Sequence, residues 1–221
     1  MHGPLTDHSP LADRVESAGS GEPAAVDVVT FLPSLDLDAE RTNTGAERPD
    51  LLPLGEAHFT VPRTFCFVDL SGFTAYTHRY GPHRAVERLG EFRRVTRQIA
   101  AKRGVRVAKW LGDGLMAVGV KPRPTVALAA HLVLAFSDSE IAVRVGIAAG
   151  TALLFEGDDY IGEPVNLAAK LCASARPREI LAVGVAGQLP DWVKVDDLVS
   201  VDIRGVGRVQ DVLRLSPDLA G

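Results

Sequence analysis

From Thr64 onward the chain runs in short periodic blocks of apolar and polar residues, whereas residues 1–60 show no sustained period. TFCFVDL, residues 64–70, is a β-branched and aromatic run of strand length. In HRAVERLGEFRRVTRQIAAKRG, Val86, Leu89, Phe92, Val95 and Ile99 form a helical stripe with a basic outer face that stops near Gly104. VRVAKWL and LMAVGV predict two strands folded back at Gly112-Asp113-Gly114. PTVALAAHLVLAF predicts an apolar helix against the sheet, and IAVRVGIAAGTALLF one long strand or a pair broken near Gly150. EPVNLAAKLCASA predicts a helix entered from Gly162, and EILAV, VKVDDLVSVDI and RVQDVLRL the closing strands. The order predicts an α+β domain with helices on one face of a mostly antiparallel sheet.

Residues 1–60 are rich in Pro, Gly, Ser, Thr and acidic residues, as in DLDAERTNTGAERPDLLPLGE, and predict a largely disordered or loosely docked tail. The folded domain is expected over residues 61–217. With 221 residues, 46% hydrophobic and 24% charged, the composition is that of an ordinary soluble globular protein. A net charge of −4 weighs against nucleic acid as the main partner, because phosphate-backbone binding relies on clustered Lys and Arg. No apolar run reaches a membrane span and no leader pattern opens the chain, so a cytoplasmic protein is expected. Cys66 and Cys172 sit in apolar settings and read as buried free thiols. His131 lacks partners at ligand spacing and reads as a satisfied core or edge histidine.

Three segments carry candidate chemistry. Asp69 ends the first predicted strand, and LSGFT then turns tightly into a helix, where exposed backbone N–H groups favour phosphate. Asp113 occupies the hairpin tip, and a compact sheet can bring a strand end and a neighbouring hairpin together. Two carboxylates beside a phosphate cradle suit Mg²⁺ with a nucleoside triphosphate; separately, each is an ordinary strand-end or turn aspartate. On the EPVNLAAK helix, Asn166 and Lys170 lie four apart and share a face. That pair reads either as a ribose and phosphate contact or as a solvated polar face.

Taken together, FVDLSGFT, KWLGDG and YIGEPVNLAAKL resemble the class III nucleotidyl cyclase catalytic domain in order and spacing, over roughly residues 60–215. The short connection from GTALLF to DDYIG is similar to the bacterial, actinobacterial-type adenylyl cyclase branch. The resemblance implies a ferredoxin-like or palm-like βαββαβ core. It implies that Asp69, Asp113 and the Leu70 carbonyl bind two divalent cations, Mg²⁺ or Mn²⁺. It further implies that the Phe73 and Thr74 amides, with Arg204, contact the triphosphate, and that Lys109 and Asp159 read the base. Asn166 would orient the ribose and Lys170 would stabilise the reacting phosphates. Adenine offers an acceptor at N1 and a donor at N6, which lysine and aspartate satisfy and guanine does not. The implied reaction is ATP to cyclic AMP and pyrophosphate in a head-to-tail homodimer with two shared sites.

A nucleotide-binding regulatory module, catalytically weak or inactive, is the competing reading, because Lys170 stands where the family usually has arginine. A diguanylate cyclase shares the core, but its Gly-Gly-acidic-Glu-Phe hairpin is absent from WLGDGL. Lysine keeps the charge and loses the planar fork. Lys170→Arg is therefore expected to raise cyclic AMP turnover on the order of ten- to a hundredfold. An unchanged or lower rate would show that Lys170 is not the arginine's stand-in.

Overall fold

A computed structural model of the chain describes residues 59–155 and 159–218. The predicted tail over residues 1–60 lies outside them, except for Phe59 and Thr60, which open the first strand. The elements run β1 (Phe59–Ser71), α1 (Phe73–Arg103), β2 (Arg106–Leu111), β3 (Gly114–Gly119), α2 (Pro122–Ala135), β4 (Ala142–Phe155), β5 (Asp159–Ile161), α3 (Glu163–Ser174), β6 (Ile180–Val183), β7 (Val193–Ile203) and β8 (Gly207–Pro217). The sheet order is β2-β3-β1-β4-β6-β8-β7, with β5 added to β4. Every pairing is antiparallel except β4 with β6. The α+β class and the mostly antiparallel sheet agree with the sequence pattern.

The register of β1 explains its central place. It pairs with β4 along its whole length, from Phe59 opposite Leu154 to Ser71 opposite Ala142, so β4 is one strand with no break at Gly150. Side chains alternate across a strand. Cys66, Val68 and Leu70 accordingly enter the core shared with α1 and α2, whereas Phe65 enters a second core with α3. Both cysteines are buried and free, as expected.

The helices therefore do not share one face. α1 and α2 cover one side and α3 the other. The nearly continuous apolar run of β4 is the physical reason, since a strand apolar on both sides must be covered twice. At Gly146 within it, a Cβ would overlap the Ala168 carbonyl oxygen and the Cys172 nitrogen of α3. The absent side chain is what lets α3 lie against the sheet.

The stripe on α1 is also shifted from the one predicted. Ala85, Phe92, Thr96 and Ala100 are buried, and Leu89, Val95 and Ile99 flank them. Val86 points outward with 69% exposure. The helix starts ten residues before the predicted segment, and Gly81 (φ 80°) with Pro82 kinks it. Ala85, seven residues before Phe92, takes the inward position. Strand β5 was not foreseen, since three residues carry too little pattern. His131 is satisfied as expected: Nδ1 lies 2.7 Å from the Ala127 carbonyl oxygen and the ring packs on Trp192.

Gly146→Ala is expected to destabilise the domain by about 3 kcal/mol or more, because backbone rather than a flexible side chain blocks the new methyl. Gly90→Ala is the control: no neighbour lies within 4 Å of its Cβ position, and it should stabilise by about 1 kcal/mol. Urea unfolding midpoints of the two variants check both signs.

Candidate active site

The turn Ser71-Gly72 ends β1 and starts α1. Gly72 has φ 84°, a left-handed conformation that favours glycine, and it aims the first amides of α1 back toward the strand end. Asp69 lies on β1 just before this turn, and the β2–β3 hairpin folds over it. A Cβ on Gly114 would sit 2.7 Å from the Val68 carbonyl oxygen and 3.3 Å from Asp69 Oδ1. Glycine there permits the approach that brings Asp113 beside Asp69.

The result is a cleft of about 440 Å³ lined by Asp69, Leu70, Gly72, Phe73, Thr74 and Asp113, together with Ser71, Ala75, Arg144 and Pro177. The residues expected at the strand end, the turn and the hairpin thus share one cavity. Burial, and then the nearby Asp69 carboxylate, push the Asp113 carboxyl above its usual range. Ser71 Oγ is buried and has no hydrogen-bond partner within the described residues. Two carboxylates, a strand-end carbonyl and a free hydroxyl make a set of hard oxygen donors, which fits Mg²⁺ or Mn²⁺.

Arg144 was missed by the sequence reading. It sits on β4 directly opposite Asp69. Its Nε and Nη2 both donate to Asp69 Oδ2, at 2.8 and 2.6 Å, and Nη1 donates to the Ala173 carbonyl at 3.2 Å. One trace was available: Arg144 is the sole charge in the apolar run IAVRVGIAAG. A cation inside a buried strand needs a partner.

The remaining predicted residues form a second group on the face covered by α3. Lys109 of β2 pairs with Asp159, the first residue of β5. The register between β2 and β3 slips between Val107 and Lys109, which places Lys109 opposite Met116, a member of the α3-side core. This bulge turns the lysine toward α3. Both partners are more than 40% exposed, leaving the pair open to a ligand. Tyr160, beside Asp159, packs edge-on against Phe65 and anchors β5.

Asn166 is exposed on α3, one turn before Lys170. Lys170 Nζ donates to the Arg204 carbonyl at 2.9 Å, in the β7–β8 turn. Arg204 thus meets Lys170 through its backbone, and its side chain is exposed. None of Lys109, Asp159, Asn166, Lys170 or Arg204 lines the Asp69–Asp113 cleft. Among the described residues, the fold of one chain gathers two separate groups.

The fold in the vicinity of these groups has known counterparts. The crystal structure of the adenylyl cyclase CyaB from P. aeruginosa matches with a TM-score of 0.59 at 21% identity, covering 73% of this chain and 98% of that one. The guanylyl cyclase Cya2 matches with the same TM-score at 17% identity, over 72% and 91% of the two chains. The fold is that of the class III nucleotidyl cyclase catalytic domain.

Sequence relatives agree. An uncharacterized protein of Mycobacterium tuberculosis is 39% identical over 142 residues, 63% of this chain and 37% of that protein. An adenylate cyclase of Streptomyces coelicolor is 34% identical over 122 residues, 54% of this chain and 32% of that enzyme. The matched segment of this chain thus spans about a third of the length of these relatives. No protein-family model matches it. Among the described residues, no helix is long and apolar enough to cross a membrane. The cyclase fold is shared by adenylyl and guanylyl enzymes, so base preference must be argued from side chains.

The raised Asp113 carboxyl has a stability consequence. Above its folded pKa the native state holds an ionised carboxylate it disfavours; below the ordinary carboxylate value neither state is charged and the penalty vanishes. Asp113→Asn is therefore expected to stabilise the metal-free protein at pH 7, by less than about 1 kcal/mol because the group is only half buried. The gain should shrink as pH falls through the folded pKa and disappear below about pH 4. Thermal melts of both proteins across pH 3.5–8 check the sign.

Proposed function

We propose that this chain is an adenylyl cyclase, converting ATP to 3′,5′-cyclic AMP and pyrophosphate at sites shared between two copies arranged head to tail. The observation that carries the reading is the exposed Lys109–Asp159 pair, held by β2 and β5 on the opposite group from the Asp69–Asp113 cleft. An ammonium donor and a carboxylate acceptor match N1 and N6 of adenine, and both contacts are wrong for guanine. Discrimination follows as much from groups left unpaired as from attraction.

Each residue then has a task. The amides of Phe73 and Thr74, at the start of α1, take triphosphate oxygens. Asn166 orients the ribose so that its 3′-oxygen lies in line with the α-phosphorus. That oxygen forms the new P–O bond, the bond to pyrophosphate breaks, and the hydroxyl proton passes to solvent. Lys170, steadied by the Arg204 carbonyl, balances charge on the transferring phosphate, and the Arg204 side chain assists from the same turn. Asp69, Asp113 and the Leu70 carbonyl would hold two divalent cations, Mg²⁺ or Mn²⁺, which when bound acidify the 3′-hydroxyl and neutralise the leaving group.

The second reading, a nucleotide-binding module with little or no turnover, is favoured by Lys170 alone. Its ammonium is already engaged by a backbone carbonyl and presents no planar fork to phosphate. Retention of the paired carboxylates in one cleft supports the enzyme, since binding alone does not require them.

The separation of the two groups gives a decisive test. Asp113→Ala and Asn166→Ala should each abolish cyclic AMP formation from ATP. Mixed in equal amounts, they should recover about a quarter of wild-type activity, because half of a randomly assembled population is mixed dimer and each mixed dimer keeps one intact site of two. GTP should give no cyclic product. Residual activity in either single variant, or no recovery in a mixture shown to exchange subunits, would overturn the shared-site arrangement. Absence of product from wild-type protein with either metal, with ATP still bound, would favour the regulatory module.

A further inference from the structure

The Asp69 carboxylate is committed before any ligand arrives. Two nitrogens of Arg144 converge on its Oδ2, and the third is fixed by the Ala173 carbonyl of α3. Charge-assisted, doubly bonded pairs of this kind are strong and directional. They leave Oδ1, on the Gly114 side, as the oxygen of Asp69 not already bonded to Arg144. The guanidinium also cancels the charge that would attract a cation to the cleft. Yet Arg144 lines the same cavity as Phe73, Thr74 and the turn at Gly72. A polyanion entering there offers it a second partner within the cavity.

We propose that Arg144 is a counter-ion gate: it occupies Asp69 until an anionic ligand enters the cleft, and so makes divalent-cation binding depend on nucleotide binding. The inference deepens the reading of the cleft as a metal and triphosphate site, and rests on it. The device works by exchange. Arg144 turns from the carboxylate to phosphate, Oδ2 becomes available to a cation, and the charge of Asp69 is restored. Linkage requires the coupling to be mutual, so each ligand raises the affinity of the other by the same factor. The bond to Ala173 ties the engaged position of Arg144 to the C-terminal end of α3, the helix that carries Asn166 and Lys170.

The test is Mn²⁺ binding to the full chain without nucleotide, read from the electron paramagnetic resonance of free Mn²⁺. Arg144→Gln is expected to bind Mn²⁺ about tenfold more tightly than wild type, the worth of a charge-assisted pair expressed as affinity. Equal affinities would overturn the gate. Removing any nearby positive charge also strengthens cation binding, so the comparison is repeated in an Asp69→Asn background. There the gain from Arg144→Gln should vanish; a gain that persists overturns the proposal, because it would come from Coulomb attraction at Asp113 alone. Arg144→Lys keeps the charge and loses the two-bond fork. It should show a smaller gain, and it carries the test if the glutamine variant does not fold. No measurable Mn²⁺ binding to wild type or Arg144→Gln would sink the gate and the metal site together. Gated Mn²⁺ binding without cyclic AMP formation would instead sink the cyclase reading and leave the gate standing.

Discussion

Gly114 carries no side chain, and the cleft exists because of it. With a Cβ there, the β2–β3 hairpin would meet the Val68 carbonyl and the Asp69 carboxylate and would have to lift away from β1. Without one, the hairpin closes over the strand end and delivers Asp113 beside Asp69. Burial first, and then repulsion from the Asp69 carboxylate, raise the Asp113 carboxyl above its usual range. The fold balances part of that repulsion with Arg144, reached straight across the sheet from β4. A close backbone approach, a like-charge pair and a counter-ion are thus one arrangement, and changing any of them disturbs the other two.

The same sheet imposes a division of labour. Alternation along β1 sends Val68 and Leu70 into the α1–α2 core and leaves Asp69 between them, directed to the opposite side with Phe65. On that side, α3 packs where Gly146 admits it. The bulge in β2 adds Lys109 to this face, and β5 brings Asp159 to meet it. Without the slip, strict alternation would set Lys109 on the α1–α2 side, and the pair with Asp159 would not form. Two irregularities, the slip in β2 and the three-residue strand β5, are what bring Lys109 and Asp159 together, while the further register shifts lie between β7 and β8.

Much of this was legible in the sequence. The strands with strong β-branched character, the apolar helix α2 and the Gly-Asp-Gly hairpin follow from period and turn chemistry alone. The approach of Asp69 and Asp113 was open to expectation too, because a compact sheet can bring a strand end and a neighbouring hairpin tip together. What escaped depends on register and long-range packing. The side of the sheet taken by α3 is decided by Gly146, whose meaning lies in atoms 22 residues away at Ala168. The outward turn of Val86 depends on the kink at Gly81 and Pro82. Arg144 could be noticed as a lone charge in an apolar strand, but its partner needed the register of β1 against β4. The bulge that aims Lys109 leaves no mark in VRVAKWL.

Lys170 shows how local geometry bears on a substitution that sequence alone reads as a loss. An arginine spreads its charge over a planar fork and is best used where several acceptors surround it; lysine concentrates its charge at one tetrahedral nitrogen and is well served by a single fixed acceptor. The β7–β8 turn supplies that acceptor, the Arg204 carbonyl, 2.9 Å from Nζ. Gly205 has φ 79°, so the turn that presents the carbonyl is itself built on a conformation that favours glycine. The cost of losing the fork is thereby reduced, because one of three ammonium donors is spent on orientation and two remain for phosphate. On the adenylyl cyclase reading, the lysine and its turn act as a unit. The consequence of Lys170 for rate is then set as much by Arg204 and Gly205, which hold it, as by the identity of the side chain.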